Sequence, residues 1–454
     1  MHPNETGFFG GILDRSSEQS SLVQNADWQW IGQQHSLFLY SRGLACHLFH
    51  WDHLALIIRG RPQTSLHLAA EEIRLEYART GNLSNLQLQG NLTLVLLDGQ
   101  RESGALIRYL VGNSLTYYYD GPDAFYFSSN LTTLLDLETF PVELNRSVLP
   151  SLFLHRFTPG RDTLIQHCSR LLPGEQLTRS NNMVQRSIVQ SYGQHQQPTS
   201  QTESEALDQL DHLLQSELDS HSATYPKSAN LLSGGVDSTL LQAHFKRASG
   251  SDSSHSSFCV TVNHPSTLPD TDYALSAAHA LGANHTLVPA DQNYLAALTQ
   301  TLATTGELPN HVQLVHFRSL AQSMQHHGFT HGLFGEAADS LFGMTPTTHA
   351  QMSLFVRRFC PSRTLRSVGR RLAQLMGRRY LARSFETANL IHDESQLSHP
   401  LNQIAIFTNR SAVKACFGSD AIEDVIEQRH KLLEMYDVSD DPVDRLHAMN
   451  LLGS

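Results

Sequence analysis

Ser233-Gly234-Gly235-Val236-Asp237-Ser238 lies between the apolar run 228–232 and a helical run expected over 239–248. A strand, a glycine turn and a helix start bring several backbone N–H groups toward one point, and the helix dipole adds to that positive end. Such a turn is suited to hold a phosphate chain. Ser233 and Ser238 can donate hydroxyls, the glycines permit close backbone approach, and Asp237 can ligate a magnesium ion. No Gly-Lys-Ser/Thr follows, so the turn is not the common nucleotide-triphosphate loop. The same residues could form a plain Gly/Ser turn, but the strand before and the helix after favour the phosphate reading.

Outward from this turn the chain alternates strands and helices. Strands are expected at 258–262, 285–288 and 329–334, and helices at 271–281, along Leu295, Leu298 and Leu302, and at 312–327. Gly282 and Gly306 are placed to cap two of the helices. This rhythm predicts an α/β domain with a parallel sheet whose ligand sits at the carboxyl ends of the strands. Beyond Gly343 the chain reads as helical. The first ~190 residues read instead as strand-rich, with short apolar runs at 92–97, 106–110, 115–119 and 124–127. Asp98-Gly99, Gly112-Asn113 and Asp120-Gly121-Pro122 separate them. Residues 194–203, rich in Gln, Ser and Thr, read as a linker. The expected domains are therefore 1–193 and 204–454.

Bulk composition narrows the function classes. The 454 residues suffice for two or three full cores. With 40% hydrophobic and 17% charged residues the chain is globular, and a net charge of −11 disfavours nucleic acid as a general partner. Five scattered cysteines form no Cys-x-x-Cys pair and suit a reducing cytoplasm. The 26 histidines form no metal-ligand spacing; His326-His327 ends an expected helix. No apolar run reaches membrane-spanning length, and 1–15 lacks the basic and apolar regions of a secretion signal.

After the strand at 329–334 comes Gly335-Glu336-Ala337-Ala338-Asp339-Ser340-Leu341-Phe342-Gly343. Glu336 and Asp339 stand one helical turn apart. Magnesium on pyrophosphate needs more than one hard oxygen ligand, and an attacking amine needs a base. Alone, the pair would more readily be a solvated acidic helix start, favoured by the helix dipole. With the Ser-Gly-Gly turn on a neighbouring strand it reads as the second half of a site.

Together, SGGVDS and GEAADSLFG resemble the synthetase domain of the asparagine synthetase superfamily, which splits ATP between its α- and β-phosphates. That superfamily includes glutamine-dependent asparagine synthetases, β-lactam synthetases and lasso-peptide cyclases. Residues 91–135 resemble the late strands of its N-terminal glutaminase-like domain, an Ntn-type α+β fold. The resemblance implies ATP and Mg2+ as the bound groups. Ser233, Gly234, Gly235, Asp237 and Ser238 would hold pyrophosphate, with Asp237 and Asp339 on magnesium. Leu232, Val260, Phe334 and Gly335 would line the adenosine, and Glu336 would orient or deprotonate the amine.

The departures from the family pattern are informative. The superfamily's glutaminase uses an N-terminal cysteine, whereas His2 follows Met1 here and the nearest cysteine is Cys46. Its glutamine-gripping Asn-Gly-Glu turn stands here as Arg59-Gly60-Arg61, so a glutamine-independent amide synthetase is expected. The resemblance favours an intramolecular amide, a lasso-peptide macrolactam made from a precursor peptide. An ammonia-dependent asparagine synthetase and a non-catalytic ATP-binding subunit are the alternatives. The latter draws on Ser340, where the family carries a second glutamate. It also draws on the end at Ser454, soon after 443–449, which resembles the start of a lysine-bearing stretch; Lys414 and Lys431 do not fit that context. A nucleotide-modifying ATP pyrophosphatase is disfavoured by the strand-rich front half.

Between Arg357 and Arg383 stand nine arginines and no acidic residue. Leu365, Val368, Leu372, Leu375 and Met376 interleave with them at helical spacing. This predicts either a basic amphipathic helix packed on the synthetase core or a dock for an acidic peptide or partner peptidase.

Overall fold

The computed structural model describes residues 7–14, 20–43, 45–86, 88–111, 114–158, 160–192, 200–249, 255–262, 268–290, 293–308, 313–335, 338, 345–390, 410–439, 444–445 and 448. They divide into two compact units. Unit one comprises Met1–Gln196, Thr305–Leu308 and Thr345–Ser454; unit two comprises Gln197–Thr304 and Pro309–Met344. The sequence break near residue 200 is thus a boundary in space. In this division the stretch 345–454 groups with the front half.

Unit one carries β1 (Gly7–Asp14), β2 (Trp28–Ile31), β3 (His35–Arg42), β4 (Cys46–Trp51), β5 (Leu54–Pro62), β6 (Gly90–Asp98), β7 (Ser103–Arg108), β8 (Tyr117–Asp120), β9 (Ala124–Ser128), β10 (Cys168–Arg170), β11 (Glu175–Ser180) and β12 (Met183–Ile188). They form two antiparallel sheets, ordered β10-β8-β9-β1-β3-β2 and β12-β11-β7-β6-β5-β4. Strand alternation builds the layers. Ala55 and Ile57 face the other sheet, in a core with Phe8, Leu37, Leu39, Val95 and Phe127. Leu54, Leu56 and Ile58, on the opposite face of β5, pack on Ala69, Ala70 and Ile73 of the Leu66–Thr80 helix. On the far side, Phe9, Phe38 and Tyr126 pack on Leu131 and Leu134. The result is a sandwich of two sheets with helices on its outer faces, the fold class expected for the front half.

Helices follow in the C-terminal part: Thr345–Phe359, Arg363–Leu375, Arg379–Leu390, Arg410–Phe417 and Ala421–Met435. The last buries Ile422, Val425 and Ile426 with Leu154, and Leu432 and Leu433 with Leu172. Tyr436 donates its hydroxyl to the Pro173 carbonyl and accepts from Ser191 at its own carbonyl oxygen. Among the described residues no helix is long and apolar enough to cross a membrane.

Unit two contains β13 (Ser228–Leu231), β14 (Ser256–Thr261), β15 (Asn284–Pro289) and β16 (His331–Leu333), all parallel, in the order β15-β14-β13-β16. Helices Leu268–Leu281 and Leu314–His326 fall where the sequence predicts them, within a few residues. Ala229, Phe258, Val288, Leu320 and Met324 form the core between sheet and helix. The Glu203–Thr224 helix opens on a capping box. Glu205 N–H donates to Thr202 Oγ1, and the Glu205 carboxylate accepts from Thr202 N–H. The end of the expected linker is therefore already helix cap.

Candidate active site

β14 lies on one side of β13 and β16 on the other. The strand order therefore changes direction between β13 and β16, and in open parallel sheets ligands sit at the carboxyl ends of the strands at such a point. The Ser233–Ser238 turn leaves β13 at this point, and Gly335, which opens the second stretch singled out in the sequence, follows β16 by two residues.

The first turn is shaped by its glycines and serines. Gly234 has φ +78°, and a Cβ there would lie 2.4 Å from the backbone of Tyr273 and Ala274. Glycine is required by conformation and by close packing alike. Ser233 Oγ and Ser238 Oγ are 2.9 Å apart, Ser233 N–H donates to Ser238 Oγ (3.2 Å), and Gly235 N–H donates to Ser233 Oγ (3.3 Å). Beneath them the buried Asn230 donates from its amide to the Ser238 carbonyl at 3.0 Å. The helix then runs Val236–Ser249, starting inside the motif rather than at Thr239, because the glycine turn is complete at Gly235. Its first N–H groups have no partner within the helix and open on the carboxyl end of the sheet. Ser233, Gly235 and Asp237 are exposed, while Ser238 is buried as the brace of the turn.

The second turn touches the first. A Cβ at Gly335 would lie 3.0 Å from Asp237 Cβ and 3.2 Å from the Ser238 nitrogen. The chain leaving β16 therefore runs directly against the start of the Val236–Ser249 helix. Leu232 is fully buried, with its N–H on the Phe258 carbonyl (2.9 Å). Val260 is partly buried in β14. Phe334 is half-exposed with its ring 5.6 Å from that of Phe317. Glu336 and Asp339 lie outside the described residues.

Asn230 and the Tyr273–Ala274 backbone are positioning residues that sequence reading missed. The signal for Asn230 was an amide between Ala229 and Leu231 in a strand expected to lie inside a parallel sheet. Nothing in the sequence marked the approach of Tyr273.

In unit one, Arg59-Gly60-Arg61 lies on β5. Gly60 has φ +104°, and a Cβ there would lie 2.0 Å from the Asn91 carbonyl oxygen. Arg59 pairs across the sheet with Cys46, and its Nη1 is buried without a hydrogen-bond partner among the described residues. Burial lowers the Arg59 guanidinium pKa and raises that of the Cys46 thiol. A thiol so placed is a weak nucleophile at neutral pH.

Residues 209–445 match the asparagine synthase family, and residues 67–192 match the glutamine amidotransferase domain. No curated protein matches the chain. Solved structures that are similar include the glutamine phosphoribosylpyrophosphate amidotransferase from B. subtilis complexed with ADP and GMP (12% identity, TM-score 0.24). That match covers 64% of this chain and 61% of the other, so the chain spans less than two thirds of that relative. A second is an allosteric regulatory enzyme of purine biosynthesis (10% identity, 72% of this chain and 84% of that one, TM-score 0.24). The family match spans more than half of the sequence and includes both the SGGVDS and the GEAADSLFG motifs: the chain belongs to the asparagine synthase family.

Proposed function

We propose that this chain joins a carboxylate to an amine with ATP, releasing AMP and pyrophosphate, and that it does so without glutamine. The observation that supports the reading is the close approach of Gly335, the first residue of the second stretch, to Asp237 and Ser238 of the first. A carboxylate oxygen attacks the α-phosphorus of ATP, the α–β bridge breaks, and pyrophosphate leaves from the Ser233–Ser238 turn. The amine nitrogen then attacks the acyl carbon, AMP departs, and the amine proton passes to a base, the role assigned to Glu336. Backbone N–H groups of the turn and the hydroxyl of Ser233 hold the leaving phosphates.

Asp237 is exposed and has no ion-pair partner among the described residues, which fits a hard-oxygen ligand for magnesium. Asp339 is the proposed second ligand. Magnesium, when bound, neutralises charge on the leaving pyrophosphate. In an ATP–pyrophosphate exchange assay, Asp237→Ala is expected to lose well over about 100-fold; a loss below about tenfold would remove Asp237 from the site.

Glutamine independence rests on Arg59 and Arg61, which stand where the family has an amide and a carboxylate, and on the buried Cys46. A ligase that needs no ammonia suits ring closure on a tethered amine, where a held nucleophile gains effective concentration. The proposed product is thus a macrolactam of the lasso type, made from a precursor peptide. Five free cysteines support a reducing, cytoplasmic setting. The match of 67–192 to a glutamine amidotransferase domain favours a second reading, glutamine-fed amide synthesis. Glutamate release from glutamine above a no-enzyme control would establish that reading in place of the first.

A further inference from the structure

The Arg363–Leu375 helix turns its apolar side outward. Leu365 is 59% exposed, Val368 50%, Leu372 54%, Leu375 85% and, just past its end, Met376 67%. At 3.6 residues per turn these five form one continuous stripe about 100° wide. The inward side carries small and polar groups. Ala373 is buried, and a Cβ on Gly369 would lie 2.6 Å from the Phe385 ring of the Arg379–Leu390 helix. Arg366 is buried as well, donating to Asn389 Oδ1 (2.9 Å) and to the carbonyls of Cys360 (2.7 Å) and Pro361 (2.8 Å). The helix is thus fixed to its neighbours through a glycine, an alanine and an arginine, while its leucines face solvent.

Charge accompanies the stripe. Arg371 and Arg378 are exposed, and no acidic residue occurs between Arg357 and Arg383, in a chain of net charge −11. Phe355 and Phe359 on the preceding helix are exposed too. The stripe itself is purely aliphatic, without the Trp, Tyr or Arg anchors that carry binding energy in protein interfaces. A fluid apolar phase with an anionic surface accepts such a face without side-chain complementarity. The acidic remainder of the chain is repelled by the same surface, leaving this segment as the point of contact.

We propose that the Arg363–Leu375 helix is an interfacial membrane anchor. It would lay Leu365, Val368, Leu372, Leu375 and Met376 into the headgroup boundary of an anionic bilayer, with arginines on its phosphates. The test is co-sedimentation of the full chain with phosphatidylcholine vesicles, with and without phosphatidylglycerol. Binding is expected only with phosphatidylglycerol, and it should fall steeply toward about 1 M salt, where screening shortens to about 3 Å.

Leu372→Ser/Leu375→Ser removes apolar surface without adding charge, and Arg371→Glu/Arg378→Glu reverses charge. Each double variant should weaken vesicle binding by about tenfold or more, since one basic residue near such a surface is worth about fivefold. All four positions are exposed, so the melting temperature and nucleotide binding should stay at wild-type values and certify the fold. Four outcomes overturn the proposal: no binding to anionic vesicles, equal binding to neutral ones, or wild-type binding by the serine variant. The fourth is a dimer, or a complex with an acidic peptide, that depends on the stripe while vesicles are ignored.

Discussion

Three glycines of the candidate site do three different things, and substitution separates them. Gly234 combines a left-handed backbone with Tyr273 and Ala274 at 2.4 Å, so Gly234→Ala cannot be relieved by moving a flexible side chain. It should cost about 1–3 kcal/mol, lowering the melting temperature by a few degrees. Gly235 has only Ser233 Oγ nearby, at 3.4 Å. Gly235→Ala should leave stability within about 0.5 kcal/mol of wild type. The added methyl would occupy the space proposed for phosphate, so ATP affinity should fall about tenfold or more. Calorimetric titration with ATP beside a thermal melt reads both; unchanged ATP affinity would sink the phosphate cradle. Gly335→Ala presses on Asp237 and Ser238 and should slow ATP–pyrophosphate exchange more than it lowers the melting temperature. The motif SGGVDS was legible residue by residue, because glycine and serine chemistry is local. The contact between Gly335 and Asp237 was not, since it joins residues about a hundred positions apart.

Helix signals in this chain were legible where they were local, and one was overlooked. Residues 194–203 read as a polar linker by composition, yet Thr202 near its end and Glu205 just beyond it cap each other's backbone N–H. Thr202→Ala should cost about 1 kcal/mol in chemical denaturation. Glu205→Ala should cost less when Thr202 is already gone, because the two act as one unit. Additive losses would show that the reciprocal cap contributes nothing. Among strands, the late ones of unit one were marked by Asp-Gly and Gly-Pro turns. β1, with the sequence GFFGGILD, was not, because it is buried on both faces and shows no alternation. Gly10 and Gly11 serve there as points of close packing against Phe127 and Phe38. For Arg363–Leu375 the period gave the stripe correctly, but periodicity cannot say which side finds a partner. There the small residues won the interior.

At the scale of the molecule, sequence order misled where packing is long-range. Nothing in the spacing of Ile422, Val425, Ile426 and Leu432 says that their partners are Leu154 and Leu172, far back in the chain. Backbone amides of Ala421–Met435 should therefore share the hydrogen-exchange protection of β11 rather than that of unit two. A pH dependence runs through both units. Burial lowers the pKa of His47 and His430 in unit one, and of His244, His285 and His331 in unit two. At His244 the Arg247 guanidinium adds to that effect and Asp211 opposes it. His285 keeps Nδ1 on Ser257 Oγ (2.8 Å) and buries Nε2 without a hydrogen-bond partner among the described residues, so a proton on Nε2 would have no acceptor among them. Each ring ionises more readily in the unfolded chain, at about pH 6.5, than in the fold. The unfolded state then binds more protons as pH falls, and stability present above about pH 6.5 is lost as pH drops through the lowered folded values. Carboxylates held low by hydrogen bonds, such as Asp211 on Arg247 and Glu205 on Thr202, act in the same direction, but only at the more acidic carboxylate range. Thermal melts between about pH 7.5 and about pH 5 isolate the histidine window. The melting temperature should fall across it, and less so in His285→Gln, which cannot ionise. A melting temperature that holds steady or rises toward pH 5 would mean that the buried imidazoles gain their protons in the fold as easily as out of it.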